Sequence, residues 1–574
     1  MDTIQTLLPG QRLSSGGRPR LDYAAVATLA LPFMAIGAVY WPVLVFVFLF
    51  GGVGLSVQTL AAQAQGARRY RRASQATWLA LRGSLFTVPV FLALAAVPLA
   101  MPQAALAAPA IPAEVAAAIS AQRLPPGAVS FVVIDTATGR TVAEANADIP
   151  RSPASTMKVV TTYAALDVLG PAYVWHTRAL ARGEIHDGVL DGDLVLQGGG
   201  DPYLTLERWW GFARQLRDAG LRSIRGDIII DDTAFALPPE DPGAFDARPN
   251  RPYNVTPNAL LVNFLSVEFH IAPEARTRSV AVSADPWPDN LVIDNRIRFI
   301  DGHCRRMADR VDFDIDGDGR DRVVFSGTLA SQCTPRIFTR ALLRPADYAY
   351  GTFVSYWRQL GGEAGGRLRT GATPFDARLL LSYDSLSLGE LVRLTNKFSN
   401  NVMARDLFLA LGAQRFGGPA TLDKSRAALA EWSQLRGLAL DAATLDNGSG
   451  LSRETRISAA ALARILNAAY HSRYQPEFLA SLPLAGIDGT LRYRMQDSPP
   501  GAVRLKTGHL AAVSAIAGYV TTADGNTFVV VSLVNDARAD TGGADALHAS
   551  LVRWALGLAA SPRATGTPVP TAVR

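Results

Sequence analysis

Ser155 and Lys158 stand three residues apart in "RSPASTMKVV". A serine hydroxyl is a poor nucleophile until a base takes its proton. A lysine one helical turn away lies on the same face and is placed to be that base. It acts so only where burial or a neighbouring cation favours its neutral form. Two further runs supply partners. "FSNN" holds Ser399, a hydroxyl that can relay a proton to a leaving amine, and Asn401, an amide that can orient Lys158 and bind a substrate amide. "RLKTGHL" holds Lys506 and Thr507, a charge and a hydroxyl for a substrate carboxylate. Gly508 lets a substrate backbone lie close to the strand. The backbone N–H groups of Ser155, at a helix N-terminus, and of His509 are expected to form an oxyanion hole. The chemistry implied is acyl transfer through an ester on Ser155. Each run alone is weak. Ser-x-x-Lys occurs on many solvated helices, and Lys-Thr-Gly is usually an edge strand with solvated side chains.

The flanking sequence says how these residues would be held. Ser152 and Pro153 read as an N-cap and a first helical position, and Gly170 is placed to stop the helix after Leu169. Ser155 is therefore expected in the first turn. Upstream, "VSFVVIDTATGRTVAEAN" reads as two strands turning at Gly139. "LSLGELVRLTNKFSNNVMARDLFLALG" is helical in period with a break near Ser399. "AVRLKTGHL" reads as a strand, followed by a hairpin through Asp524-Gly525 and a last helix in "GADALHASLVRWALG".

Between these halves the texture changes. Residues 178–377 are rich in Gly, Pro and Asp, with short strand candidates such as "DLVLQGGG", "SVEFHIA" and "RVVFSGTL". The expected organisation is catalytic residues 108–177, a β-rich insert 178–377, catalytic residues 378–560 and a Pro- and Thr-rich disordered tail 561–574. Inside the insert, "DFDIDGDGRD" places Asp312, Asp314, Asp316 and Gly317 at the first positions of a calcium loop. The twelfth position is Val323 where Glu is needed, so a polar hairpin turn is the better reading. The seven His show no metal spacing, and no metal or cofactor is expected.

The net charge of +6 suggests a basic protein, but residues 1–107 hold eight Arg against Asp2 and Asp22. The remainder is neutral, which argues against a nucleic-acid surface. The leader places the basic patch "ARRYRRAS" ahead of "LFTVPVFLALAAVPLAM" and a small-residue stretch, the layout of a secretory signal. Cleavage is expected after Ala105-Leu106-Ala107. An uncleaved membrane anchor is the alternative, because the apolar run approaches a span. Residues 24–56 would make a second span with Arg on both flanks, so translation is expected to begin nearer Val57. An exported chain with two cysteines suggests a disulfide between Cys304 and Cys333, with two free thiols as the alternative.

Taken in order, Ser-x-x-Lys, Ser-x-Asn and Lys-Thr-Gly form the set found in serine β-lactamases and penicillin-binding proteins. The chain resembles the D-alanyl-D-alanine carboxypeptidase/endopeptidase family, the class C low-molecular-mass penicillin-binding proteins. About 240 residues separate Ser155 from Ser399, and "GGGDPYLT", "GDIIIDDTAF", "DNGSGLSRET" and "LAGIDGTLRYRM" read like segments of that family. The resemblance implies an α/β fold, a penicillin-recognising domain of the serine transpeptidase/β-lactamase type split by a β-rich insert. It implies Ser155, Lys158, Ser399, Asn401, Lys506 and Thr507 as catalytic and binding residues. Arg453 in "GLSRE" is a substrate contact on this reading and a structural salt bridge on the plain one. One departure is His509, where the family usually has Thr.

The expected protein is an exported, periplasmic serine hydrolase that removes terminal D-Ala from peptidoglycan stem peptides or cuts their cross-links, with β-lactams as inhibitors. The leader tethers it to the membrane only if it stays uncleaved. The rivals are a β-lactamase on the same scaffold, disfavoured because no separate deacylating Glu stands out, and a non-catalytic peptidoglycan-binding module.

Overall fold

The computed structural model describes residues 111–304, 310–316, 321–438, 440 and 443–558. The leader, its cleavage site, the tail from 561 and the 317–320 turn of the calcium-like run lie outside the described residues.

The hairpin expected near Gly139 is present, as β1 (Val129–Asp135) and β2 (Thr141–Ala145), with Gly139 at φ 69° in the turn. Every residue of β1 is buried. Its alternation explains why: Phe131 and Val133 enter one core, Val132 and Ile134 the other. A strand covered on both faces needs apolar residues at every position, and "VSFVVID" comes close. The chain then enters a 3₁₀ turn (Ala154–Met157) and α1 (Lys158–Leu169), which Gly170 ends at φ 82°.

The helix start differs from the expectation. Ser152 does not cap it. The Asn535 side chain takes the Ser152 N–H at 2.8 Å and donates to its carbonyl at 3.1 Å. Ser155 consequently sits in the 3₁₀ turn, and the α-helix begins at Lys158. Ala154 adopts φ 45°, the left-handed region that costs a residue with a Cβ.

The β-rich part opens with the strand His176–His186 and closes with Arg378–Asp384, which pair antiparallel so that His176 faces Asp384. Between them lie the rest of a seven-stranded sheet and two three-stranded sheets. The elements used below are β3 (Ser266–Glu274), β4 (Val311–Asp316) and β5 (Arg336–Ala341). β4 pairs antiparallel with Arg322–Ala330, Asp316 opposite Arg322, which is the hairpin arrangement expected there. Cys304 and Cys333 are disulfide-bonded. They follow two strands, Val292–Ile300 and Arg322–Ala330, that run parallel side by side.

After the insert come α2 (Leu388–Phe398) and α3 (Asn401–Phe416), separated by Ser399 at φ 57°. The strands β6 (Val503–Leu510), β7 (Val513–Thr521) and β8 (Thr527–Asn535) follow, then α4 (Gly543–Leu556). One antiparallel five-stranded sheet in the order β6-β7-β8-β1-β2 thus joins chain from both sides of the insert. α1 packs on one face and α4 on the other. β6 is an edge strand, and its edge faces the 3₁₀ turn of Ser155. Among the described residues no helix is long and apolar enough to cross a membrane.

Candidate active site

The three runs converge although they come from distant parts of the chain. Lys158 is wholly buried, at the start of α1. Its Nζ lies 3.0 Å from Ser155 Oγ, 2.7 Å from Asn401 Oδ1 and 2.7 Å from the Ser449 carbonyl. Asn401 is fixed in orientation, because its Nδ2 donates to the Tyr253 carbonyl at 3.1 Å. Its Oδ1 and the Ser449 carbonyl can only accept hydrogen bonds. A neutral amine has two N–H groups and one lone pair. The two acceptors take the two N–H groups, and the lone pair is left for the Ser155 hydroxyl. Burial pushes the Lys158 ammonium well below the usual lysine range, and the nearby charge of Lys506 pushes it further.

Lys506 is buried as well. Its Nζ donates to Ser399 Oγ at 2.7 Å and to the Thr507 carbonyl at 2.7 Å. Burial lowers it from 10.5 to about 7. When protonated it has a third N–H for an incoming carboxylate. The left-handed conformation at Ser399 turns its hydroxyl from the end of α2 toward this lysine. Asn401, at the start of α3, keeps one amide hydrogen for a substrate after serving Tyr253.

Gly508 is required by space. A Cβ there would stand 3.0 Å from the Ser155 nitrogen and 2.7 Å from the Pro153 carbonyl oxygen. β6 therefore presses its edge against the nucleophile's turn. The direction of the His509 N–H follows from strand alternation. Leu505 donates its N–H outward, to the Pro483 carbonyl at 3.0 Å, so Thr507 and His509 point their N–H groups off the same edge. The His509 side chain is exposed and lines the cleft.

A cavity of about 520 Å³ opens over Ser155, Ser399 and Asn401. Lys158, Lys506 and Thr507 lie beneath its floor. Its far wall comes from the insert's long irregular segment 232–265 and includes Phe245, Asp246 and Tyr253. Arg453 also lines it. Its guanidinium lies 4.4 Å from the centre of the Phe245 ring and donates to the Phe245 carbonyl at 3.0 Å. Arg453 thus holds the insert segment, and the salt bridge considered from sequence is replaced by these contacts. Burial opposes ionisation of Asp246, but hydrogen bonds from Tyr253 and Asn254 prevail and hold its carboxyl below the usual range.

Four contributors escaped the sequence. Ser449 acts through its carbonyl, which carries no sequence signature. The loop that presents it is shaped by Asn447, whose Oδ1 accepts from the Ser449 N–H at 3.1 Å. Thr490 accepts the Thr507 hydroxyl at 2.7 Å. Tyr253 and Phe245 sit in a stretch whose only signal was length without periodicity, a common mark of a functional loop. Among the described residues no group of three or more His, Cys, Asp or Glu could hold a metal.

Residues 111–556 match the D-Ala-D-Ala carboxypeptidase 3 (S13) family. The chain belongs to that family. It is therefore a serine peptidase of the D-Ala-D-Ala carboxypeptidase class, on the penicillin-recognising α/β fold expected from its motifs. A D-alanyl-D-alanine carboxypeptidase from Actinomadura sp. (strain R39) is 30% identical over 437 residues, which cover 71% of this chain and 78% of the relative. Penicillin-binding protein 4 from Haemophilus influenzae superposes with a TM-score of 0.66 at 25% identity, covering 77% of this chain and 99% of that one. The same H. influenzae protein complexed with a β-lactam gives a TM-score of 0.63 at 24% identity over the same shares.

Proposed function

We propose that this protein hydrolyses peptidoglycan stem peptides outside the cytoplasm, through an acyl-enzyme on Ser155. The carrying observation is the buried Lys158 Nζ, 3.0 Å from Ser155 Oγ with both its N–H groups engaged by acceptors. Neutral Lys158 takes the Ser155 proton as Oγ attacks the carbonyl of the penultimate D-Ala. The N–H groups of Ser155 and His509 hold the oxyanion. Ser399, which accepts a hydrogen bond from Lys506, passes a proton to the leaving amine. Protonated Lys506 and the Thr507 hydroxyl bind the terminal carboxylate of a pentapeptide. Water then releases the acyl group. No cofactor enters the scheme.

Asp246 and Arg453 offer one charge of each sign in the cavity, which suits the zwitterionic end of a diaminopimelate side chain. Cutting a cross-link uses the same acyl transfer, with the diaminopimelate amine of a second stem as the leaving group, so cleavage of cross-links as well as of terminal D-Ala is part of the proposal. β-lactams enter as carbonyl mimics of acylated D-Ala. Export rests on the leader's layout and on the disulfide Cys304–Cys333.

The test is covalent labelling. A penicillin should add once to the protein, and peptide mapping should find the ester on Ser155. Ser155→Ala should abolish both labelling and D-Ala release while the fold is kept, because a cleft hydroxyl contributes little to stability. Labelling that survives in Ser155→Ala contradicts the assignment.

A further inference from the structure

A second cavity, of about 360 Å³, adjoins the catalytic one. Arg248 lines both. The second is walled by residues 247–251 on one side and by Phe313 of β4 and Arg340 of β5 on the other.

The backbone fixes where its cations stand. The Arg251 N–H donates to the Arg248 carbonyl at 3.2 Å, closing a turn that holds both side chains near one another. The Ala341 N–H donates to the Asn250 carbonyl at 3.0 Å and ties the end of β5 to that turn. Arg340 lies 4.8 Å from the centre of the Phe313 ring and 5.5 Å from that of Phe338, so its guanidinium plane is steadied by aromatic faces. One of its N–H groups serves the Thr339 carbonyl.

Several other arginines of the insert are ion-paired: Arg182 with Asp376, Arg278 with Asp301, Arg344 with Asp347 and Arg358 with Asp289. Among the described residues, no ion pair includes Arg248, Arg251 or Arg340. Three guanidinium groups line one concave space, and the Asp246 carboxylate feels the charge of Arg248 from the adjoining cavity. Burial, and then the charge of Arg251, weaken the hold of Arg340 on its proton, which places the two guanidinium groups near one another. Guanidinium stays charged at neutral pH, so the three groups attract an anion across the working range.

We infer that this second cavity is an oxyanion subsite that takes a free carboxylate of the substrate peptide, on the N-terminal side of the reacting D-Ala. The inference rests on the D-Ala-D-Ala peptidase reading and extends its substrate site. Planar, forked donors match a carboxylate in geometry as well as charge. An extended peptide advances about 3.3–3.6 Å per residue, so a group on the third residue back from the scissile bond stands about 10 Å away. In a stem peptide that residue is a γ-linked D-glutamate, whose α-carboxylate is free. Arg248, common to both cavities, marks the path from one to the other. Arg251 and Arg340 are the residues that read the carboxylate.

The test compares two peptides, L-Ala-γ-D-Glu-meso-diaminopimelyl-D-Ala-D-Ala and the same peptide with the glutamyl α-carboxylate amidated. The readout is the ratio of their kcat/KM values within each protein, which does not depend on how much of a variant is folded. The wild type should prefer the acid by about tenfold, the scale of a charge-assisted contact at a partly exposed site. In Arg251→Gln/Arg340→Gln the ratio should fall to about one. Arg251→Gln alone, at an exposed turn position, should already lower it. A wild-type ratio near one, or a ratio unchanged in the variants, overturns the subsite while leaving the peptidase reading intact. A wild type that cleaves neither peptide and takes no penicillin overturns the parent reading, and the subsite with it.

Discussion

Two sets of cations face one cleft, and they differ in burial. Lys158 and Lys506 form the floor, both with no exposed surface. Arg453, Arg248 and, in the adjoining cavity, Arg251 and Arg340 form the wall, on loops and strand ends that meet solvent. Burial can strip a proton from a lysine, because its ammonium loses water on entering a core. An arginine stays charged in either setting. The floor can therefore do proton chemistry, and the wall can only read charge. The floor hangs on the five-stranded sheet and α1, whose cores fix positions closely. The wall hangs on the irregular segment 232–265 and its neighbours.

The contrast can be broken at several points. The largest loss among point changes beyond Ser155 itself is expected at a backbone donor. His509→Pro removes the N–H that points off the edge of β6 and should lower kcat by about 100- to 1,000-fold. His509→Thr and His509→Ala keep that N–H and should stay within about tenfold. If His509→Ala is as inactive as Ser155→Ala, the imidazole belongs to the floor's machinery.

Next in size is Lys158→Ala, which should lower kcat by at least about 100-fold and leave KM nearly unchanged, as expected for a general base. An effect confined to KM would make Lys158 a reader of charge like the arginines.

A smaller change sharpens the link between the two lysines. The charge of Lys506 is one of the two causes that lower Lys158. Lys506→Met removes that cause, so Lys158 should bind its proton more tightly and the acid limb of kcat/KM should move to higher pH. In the wild type Lys506 itself titrates at about 7 instead of 10.5. Between these values the unfolded chain holds more protons than the native one, so stability should rise with pH across that window. Thermal melts of Lys506→Met should show a smaller rise, because buried Lys158 still contributes its own. An acid limb that stays in place would show that burial alone sets Lys158.

Much of the floor was legible in the sequence because local rules place it. Gly170 ends α1, Gly139 turns the first hairpin, and the helical break at Ser399 falls between α2 and α3. Each depends on a few adjacent residues. The Ser152 cap failed because Asn535, far along the chain, offers its amide to the same backbone groups. The Ser449 carbonyl and the Thr490 hydroxyl were missed for a related reason. Their partners Lys158 and Thr507 are brought to them by tertiary packing, and neither residue type is distinctive. The wall was least legible. Segment 232–265 has no period to read, and its arginines gain meaning only when β4 and β5 close the cavity around them.

The central claim is that Lys158 is neutral at working pH. The chain has four lysines, Lys158, Lys397, Lys424 and Lys506, so selective labelling gives a spectrum that single Lys→Arg variants can assign. Titration of the 13Cε resonances in the folded protein measures each ammonium directly. The account predicts that Lys158 loses its proton well below 10.5 and that Lys506 does so near 7. A Lys158 resonance that titrates at 10.5 or above would contradict it, because a protonated amine has no lone pair to give the Ser155 hydroxyl.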